Sequence, residues 1–127
     1  MKNIIAGILA LIFGLNCKAE DAKVNEKPLA DVKKEIQEGK AVIVDVREQK
    51  EWDAGHVKDA KLIPLSALKE GKGDLSALSK DKTIYTYCVM GKRSLTAATL
   101  LNLKGYQATS LKEGFDDLSK NGFDTSK

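Results

Sequence analysis

A run of mostly β-branched residues at positions 41–46 most limits the folds that this 127-residue chain can adopt. It reads Ala41-Val-Ile-Val-Asp-Val46, with β-branched residues next to one another instead of at every second position. Strands of this kind are covered on both faces, as in parallel sheets whose crossovers are helices. Segments with helical spacing follow Pro28, occupy 48–54 and extend over 94–103. This alternation predicts an α/β domain with a central, mostly parallel sheet of about five strands and helices on both faces.

An apolar run, residues 83–87, leads directly into Cys88, and a helix-forming segment begins at Ser94. This order of strand, tight loop and helix places Cys88 at the carboxyl end of a strand, where open α/β sheets bind ligands. Loop N–H groups and a helix N-terminus lower the pKa of a thiol, and Lys92 and Arg93 add positive charge. Free cysteine is commonly a small core residue, but these neighbours lead us to interpret Cys88 as a reactive thiolate.

Two segments resemble the rhodanese-like sulfurtransferases in their single-domain form. The loop Cys88-Val-Met-Gly-Lys-Arg93-Ser94 is similar to the family's six-residue active-site loop, which extends from cysteine to arginine. The family's first signature is similar to Val44-Asp45-Val46-Arg47-Glu48 and its continuation, Glu51-Trp52, Gly55-His56-Val57, Ala60 and Ile63-Pro64. With Gly114-Phe115, the resemblance covers about residues 24 to 123. It implies a rhodanese-like fold.

The resemblance also implies the activity of a thiosulfate sulfurtransferase. Sulfane sulfur would pass from thiosulfate or a persulfide to Cys88, and from the Cys88 persulfide to cyanide or a thiol acceptor, in a double displacement. Asp45 and Ser94 would support the loop. No cofactor, metal or separate base is expected. The substrate would contact the remaining loop residues, which are Val89, Met90, Gly91, Lys92 and Arg93.

Two alternatives remain open. Phosphatases and arsenate reductases related to this fold resemble the motif but carry one more residue between cysteine and arginine. The shorter loop forms a smaller cradle, which suits a sulfur atom better than a tetrahedral oxyanion. The other alternative is a non-enzymatic persulfide carrier or a partner-binding module. Rhodanese-like modules used only for binding commonly lack the cysteine, whereas Cys88 is present here.

The two arginines, Arg47 and Arg93, stand out against nineteen lysines and suggest that both positions require the guanidinium fork. We predict that Arg47 pairs with Glu51, four residues later on a short helix, and that Arg93 binds the anionic substrate. His56 is the only histidine. A Cys–His pair would have to use it, but we predict a packed turn residue bonded to the backbone.

The later elements follow from the same patterns. The helix that starts at Ser94 is expected to end at Lys104-Gly105, and Gly114-Phe115 is expected to open a last helix before a polar tail. The predicted apolar face of the first of these helices comprises Leu95, Ala98, Leu100, Leu101 and Leu103.

The N-terminal segment is typical of a secretory signal peptide. Residues 4–15 are an uninterrupted apolar run after Lys2, shorter than the ~20 residues that cross a bilayer. Cys17-Lys18-Ala19 is an acceptable cleavage site, so we expect a leader over 1–19 and export to the periplasm. Acylation of Cys17 is the alternative, although Asn16 stands where a lipobox has a small residue.

The mature rhodanese-like domain would then comprise residues 20–127. Loss of two lysines lowers the net charge from +3 to +1, and no basic stripe with interleaved aromatics is present, so nucleic acid is not an expected partner. Cys88 would be the sole cysteine, which excludes an internal disulfide and a CxxC metal site. The expected partners are a small sulfur donor and a thiol or cyanide acceptor, with no membrane span. We expect a monomer.

Overall fold

The computed structural model describes residues 22–127. The expected leader and Cys17 lie outside these residues and stay predictions. The strands are β1 Lys23–Val24, β2 Ala41–Asp45, β3 His56–Val57, β4 Lys61–Leu62, β5 Thr83–Tyr87, β6 Gln107–Ser110 and β7 Thr125–Ser126. The helices are α1 Leu29–Gln37, α2 Gln49–Ala54, α3 Leu65–Lys69, α4 Lys92–Leu103 and α5 Phe115–Lys120.

The central sheet has five strands in the order β1-β6-β5-β2-β4, and every neighbouring pair is parallel. The two longest strands, β2 and β5, are adjacent, with Asp45 in register with Tyr87. Parallel pairing brings their carboxyl ends to the same edge of the sheet, which is where Cys88 follows β5. The predicted α/β class is confirmed.

The β-branched run of β2 is buried from both sides, as its sequence predicts. Val44 belongs to a core cluster with α3 and α4, whereas Ile43 belongs to a second cluster with α1 and α5. Helices therefore cover both faces of the sheet. Burying a side chain of this size stabilises the fold by about 1.5–3 kcal/mol. Within the described residues, no helix is long and apolar enough to cross a membrane.

Two sequence predictions are wrong in detail. Helix α4 begins at Lys92, two residues earlier than predicted, and Leu103 is 56% exposed instead of buried. The face that α4 turns to the sheet follows the 3.6-residue period through Ser94, Ala97 and Leu101, and Leu103 lies off that stripe.

The C-terminal segment is also not simply a polar tail. Phe123 is buried in the second core cluster. Two residues later, β7 pairs antiparallel with β3, with His56 opposite Ser126 and Val57 opposite Thr125. The sequence of this segment is too short and too polar to indicate a strand, and the pairing depends on β3 being presented by the rest of the fold.

Candidate active site

The loop after β5 folds back around the sulfur of Cys88. Gly91 has φ +88°, a left-handed conformation that glycine adopts without strain, and α4 begins at the next residue. This turn directs two backbone N–H groups at Cys88 Sγ, that of Gly91 at 3.1 Å and that of Ser94 at 3.4 Å. Cys88 is only 1% exposed. The loop therefore forms a small anion cradle with a sulfur atom at its centre.

The hydrogen bonds around Cys88 favour its ionised form. Burial raises the pKa of the Cys88 thiol, but hydrogen bonds from the Ser94 hydroxyl and from the N–H groups of Ser94, Gly91 and Met90 outweigh it. The net result is a pKa below the ordinary value for cysteine. A lowered pKa increases the thiolate fraction at neutral pH, and the thiolate is the nucleophile.

Two buried hydroxyls extend this arrangement behind the sulfur. Ser94 Oγ lies 3.5 Å from Cys88 Sγ and 2.8 Å from Ser110 Oγ. The Leu111 carbonyl lies 3.4 Å from both hydroxyl oxygens. When the sulfur is a thiol its S–H can donate to Ser94, and when it is ionised the Ser94 hydroxyl becomes the donor. Ser94 therefore contacts the nucleophile directly.

Sequence reasoning missed Ser110. It ends β6, and its Cα is in register with Thr86 of β5, close to the start of the loop. A polar residue at the carboxyl end of a strand is a weak signal. It becomes informative only when the strand order places β6 next to β5.

A glycine near the start of α5 fits the loop from the opposite side. A Cβ on Gly114 would overlap the Val89 carbonyl, although the φ of Gly114 is ordinary. The absent side chain lets the following N–H, that of Phe115, donate to the Cys88 carbonyl at 3.0 Å. The Gly114-Phe115 pair is thus a second support of the loop.

The arginine of the loop is bound to an acidic residue of α2. Arg93 Nη1 lies 2.7 Å from Glu51 Oε1, and Nη2 lies 2.9 Å from Oε2. The predicted pairing of Arg47 with Glu51 is therefore wrong. The capping box of α2 directs the Glu51 side chain toward the Glu48 N–H, where it meets Arg93 from the neighbouring helix.

Arg47 instead forms a buried ion pair with Asp45. Its Nε and Nη2 donate to the Asp45 carboxylate, the shortest contact being 2.7 Å, and Nη2 also donates to the Gly55 carbonyl. Asp45 accepts a further bond from the Tyr87 hydroxyl at 2.6 Å. The hydrogen bonds of Asp45 thus reach Tyr87, the residue before Cys88, and none of them goes to residues 88–93.

The remaining predicted residues form the outside of the loop. Met90 is 82% exposed and Val89 is 50% exposed, while Lys92 is also exposed. The side chain of His56 is committed elsewhere, because its Nδ1 lies 2.9 Å from the Trp52 carbonyl and its ring stacks on Trp52. The predicted packing role of His56 is confirmed. Among residues 22–127, no cluster of three or more metal-ligating side chains is present.

Comparison with known proteins agrees with this geometry. Residues 28–121 match the family described as Rhodanese-like domain. The chain belongs to the rhodanese-like family. The chain is 42% identical over 77 residues to an uncharacterized protein, YqhL, of Bacillus subtilis, and the match covers 60% of this chain and 59% of that protein.

Two further proteins to which the chain is similar are named as sulfurtransferases. The probable adenylyltransferase/sulfurtransferase MoeZ of Mycobacterium tuberculosis is 39% identical over 67 residues, covering 53% of this chain and 17% of that protein. The solved structure of the human single-domain sulfurtransferase TSTD1 superimposes with a TM-score of 0.64 at 25% identity, covering 74% of this chain and 94% of that one. The chain therefore spans less than two thirds of the length of either bacterial relative, but most of the human domain.

Proposed function

We propose that this protein is a sulfurtransferase that carries sulfane sulfur as a persulfide on Cys88. The observation that supports this most directly is the pair of N–H groups, from Gly91 and Ser94, directed at Cys88 Sγ. The attacking thiolate is an anion, and so is the persulfide that would replace it. Backbone donors directed at the sulfur stabilise negative charge, so the same loop suits the thiolate and the persulfide anion that replaces it.

The first half-reaction loads the sulfur. The Cys88 thiolate attacks the outer sulfur of thiosulfate, the S–S bond of thiosulfate breaks, and its electron pair leaves with sulfite. With a persulfide donor, the thiolate attacks the terminal sulfur and the donor thiolate leaves. Each route ends with the same Cys88 persulfide, and charge is conserved in both.

The second half-reaction discharges it. Cyanide or an acceptor thiolate attacks the terminal sulfur, and the S–S bond to Cys88 Sγ breaks. Its electron pair returns to Cys88 as thiolate, and thiocyanate or the acceptor persulfide leaves. Neither half-reaction requires a proton to be removed from Cys88 once it is ionised. This agrees with the commitment of His56 to Trp52, which leaves no histidine to act as a base.

Intact-mass spectrometry with and without thiosulfate or an organic persulfide tests the proposal. Wild-type protein should gain one sulfur atom, ~32 Da, and lose it again on addition of cyanide or a thiol. Cys88→Ala should gain nothing. Reduced wild-type protein that acquires no sulfur from either donor would contradict the proposal and would favour a partner-binding module.

We also propose that the protein is exported. The support is the apolar run of residues 4–15 with its basic start and the small residues around Ala19. The mass of the protein purified from cells tests this directly. A mass that begins at Glu20 agrees with the proposed cleavage, a lipid-modified Cys17 indicates the anchored alternative, and an intact N-terminus in a protein that remains in the cytoplasm contradicts export.

A further inference from the structure

We infer that Glu51 is a specificity-determining residue, which neutralises the arginine of the loop and thereby makes organic persulfides better sulfur donors than the thiosulfate dianion. This inference rests on the sulfurtransferase function proposed above. It concerns the charge that a donor meets on its way to Cys88.

The Glu51–Arg93 pair is bidentate and is held by two rigid elements. Both Nη atoms of Arg93 donate, one to each carboxylate oxygen, at 2.7 and 2.9 Å. Glu51 also accepts the Glu48 N–H at 3.0 Å, while Arg93 is fixed in the first turn of α4. Each side chain is about one third exposed. A bidentate ion pair between a guanidinium group and a carboxylate is stronger than a single contact between mobile surface side chains.

This pairing engages the arginine that a thiosulfate site would use, and it leaves Lys92 as the exposed cation of the loop. The Arg93 hydrogen bond is the largest influence on the Glu51 carboxyl and lowers its pKa to about 2, so that it is ionised throughout the physiological range. An incoming dianion must then displace a carboxylate from Arg93 and remain next to it. Glu48, which also acts on the charge of Arg93, makes the approach less favourable still.

The outside of the loop offers apolar contact instead. Met90 and Val89 expose most and half of their side chains, respectively, on the segment that follows Cys88 directly. The substituent R of an organic persulfide, R–S–SH, can pack on these side chains, whereas thiosulfate has no apolar part. The thiolate attacks the terminal sulfur, the S–S bond breaks, and R–S⁻ leaves and takes the proton that the terminal sulfur carried.

Replacing Glu51→Gln separates charge from structure. Glutamine also serves at this position of a capping box, so its amide oxygen can still accept the Glu48 N–H. We expect kcat/KM for thiosulfate, with cyanide as acceptor, to rise about tenfold, which corresponds to ~1.4 kcal/mol, mainly through a lower KM. The gain should shrink in high salt, because it is electrostatic. The persulfide of N-acetylcysteine methyl ester has a neutral substituent. For this donor, kcat/KM should change by less than about twofold, which corresponds to ~0.4 kcal/mol.

Glu38→Gln is the matched control, because Glu38 forms an exposed ion pair with Lys40 and the same charge is removed. It should leave kcat/KM unchanged for both donors.

If Glu51→Gln does not fold, the Glu51→Asp variant provides the test. Its shorter side chain cannot bind both Nη atoms of Arg93, so a smaller gain in kcat/KM for thiosulfate is expected. An unchanged kcat/KM for thiosulfate, or equal gains with both donors, overturns the inference while the proposed function stands. A wild-type protein that accepts sulfur from neither donor overturns both.

Discussion

The Tyr87 hydroxyl donates to Asp45 Oδ2 at 2.6 Å, and the two residues are also register partners across β2 and β5. The same hydroxyl oxygen accepts the Val57 N–H at 3.0 Å. Burial, and then the bond to Asp45, raise the pKa of Tyr87, so its hydroxyl remains a donor at neutral pH. Since Tyr87 precedes Cys88, this network fixes the end of the strand that presents the nucleophile.

Removing the Asp45 charge should destabilise the fold strongly. Asp45→Asn leaves the buried Arg47 guanidinium without its counter-charge, and we expect a loss of about 3–5 kcal/mol in the free energy of unfolding. Urea unfolding measures it. Glu38→Gln, in an exposed pair, should cost less than about 1 kcal/mol. An Asp45→Asn variant as stable as this control would show that the buried pair does not hold the site.

The hydroxyls behind the sulfur should set its acidity. The rate of Cys88 alkylation by iodoacetamide, followed against pH, should have its midpoint below that of the urea-denatured chain, because hydrogen bonds lower the pKa of the folded thiol. Ser94→Ala removes a donor and should move the midpoint upward. Ser110→Ala should move it less, because Ser110 contacts the sulfur only through Ser94.

Thr96→Ala is the control for these serine variants, since the Thr96 hydroxyl is exposed and bonds to the backbone of its own helix. It should leave the alkylation midpoint unchanged. A Ser94→Ala midpoint equal to or below the wild-type midpoint would contradict the role assigned to its hydroxyl.

A single methyl group at position 114 should disturb the loop. Gly114→Ala places a Cβ on the Val89 carbonyl, so the loop or α5 must move, and overpacking of this kind costs about 1–3 kcal/mol. The Val89 carbonyl belongs to the loop that forms the cradle. The sulfur-transfer rate should therefore fall more than ten-fold, which corresponds to ~1.4 kcal/mol in the activation barrier.

Gly39→Ala provides a contrast to Gly114→Ala. Gly39 has φ +76° and open space around it, so its substitution should cost stability through backbone strain and leave the transfer rate of the folded protein unchanged. Equal effects of the two variants on rate would show that the Gly114–Val89 contact is not specific to the site.

The Glu51 pair should give a stability difference that depends on pH. The pKa of Glu51 in the folded protein is lowered to about 2. The contribution of Glu51 to the free energy of unfolding is therefore complete above its unfolded pKa of ~4.3, and it is lost as the pH falls through the folded pKa. The group is partly exposed, so the contribution should stay within ~1 kcal/mol. The stability gap between wild type and Glu51→Gln should therefore close between pH 5 and 2 in urea titrations. A stability gap that widens on acidification would contradict a lowered pKa for Glu51 in the folded protein.

Local sequence signals were sufficient for the central elements. The β-branched residues of β2, the apolar run before Cys88 and the glycine of the loop each act on the backbone within a few positions. They predict a strand covered on both faces and a tight turn into a helix, and both are found. The position of Cys88 at the carboxyl end of β5 follows from that local order alone.

Local sequence signals could not predict which side chains pair in the folded protein. Glu51 has Arg47 four residues away in sequence, yet it pairs with Arg93, which is 42 residues away. Which arginine it meets depends on the capping box that turns the carboxylate and on the placement of α4 beside α2. The contact between Ser94 and Ser110 likewise exists only because β6 lies next to β5.

The supports of the loop have a consequence for synthesis on the ribosome. Ser110, Gly114 and Phe115 emerge more than twenty residues after Cys88, and the Phe115 N–H is the one that bonds the Cys88 carbonyl. A nascent chain that has exposed its cysteine but not this segment lacks the bonds that shape the cradle. Its thiol then lacks the Ser94–Ser110 contact and the Phe115 bond, so the sulfur reaches the environment described above only after residues 110–115 have left the ribosome and joined the fold.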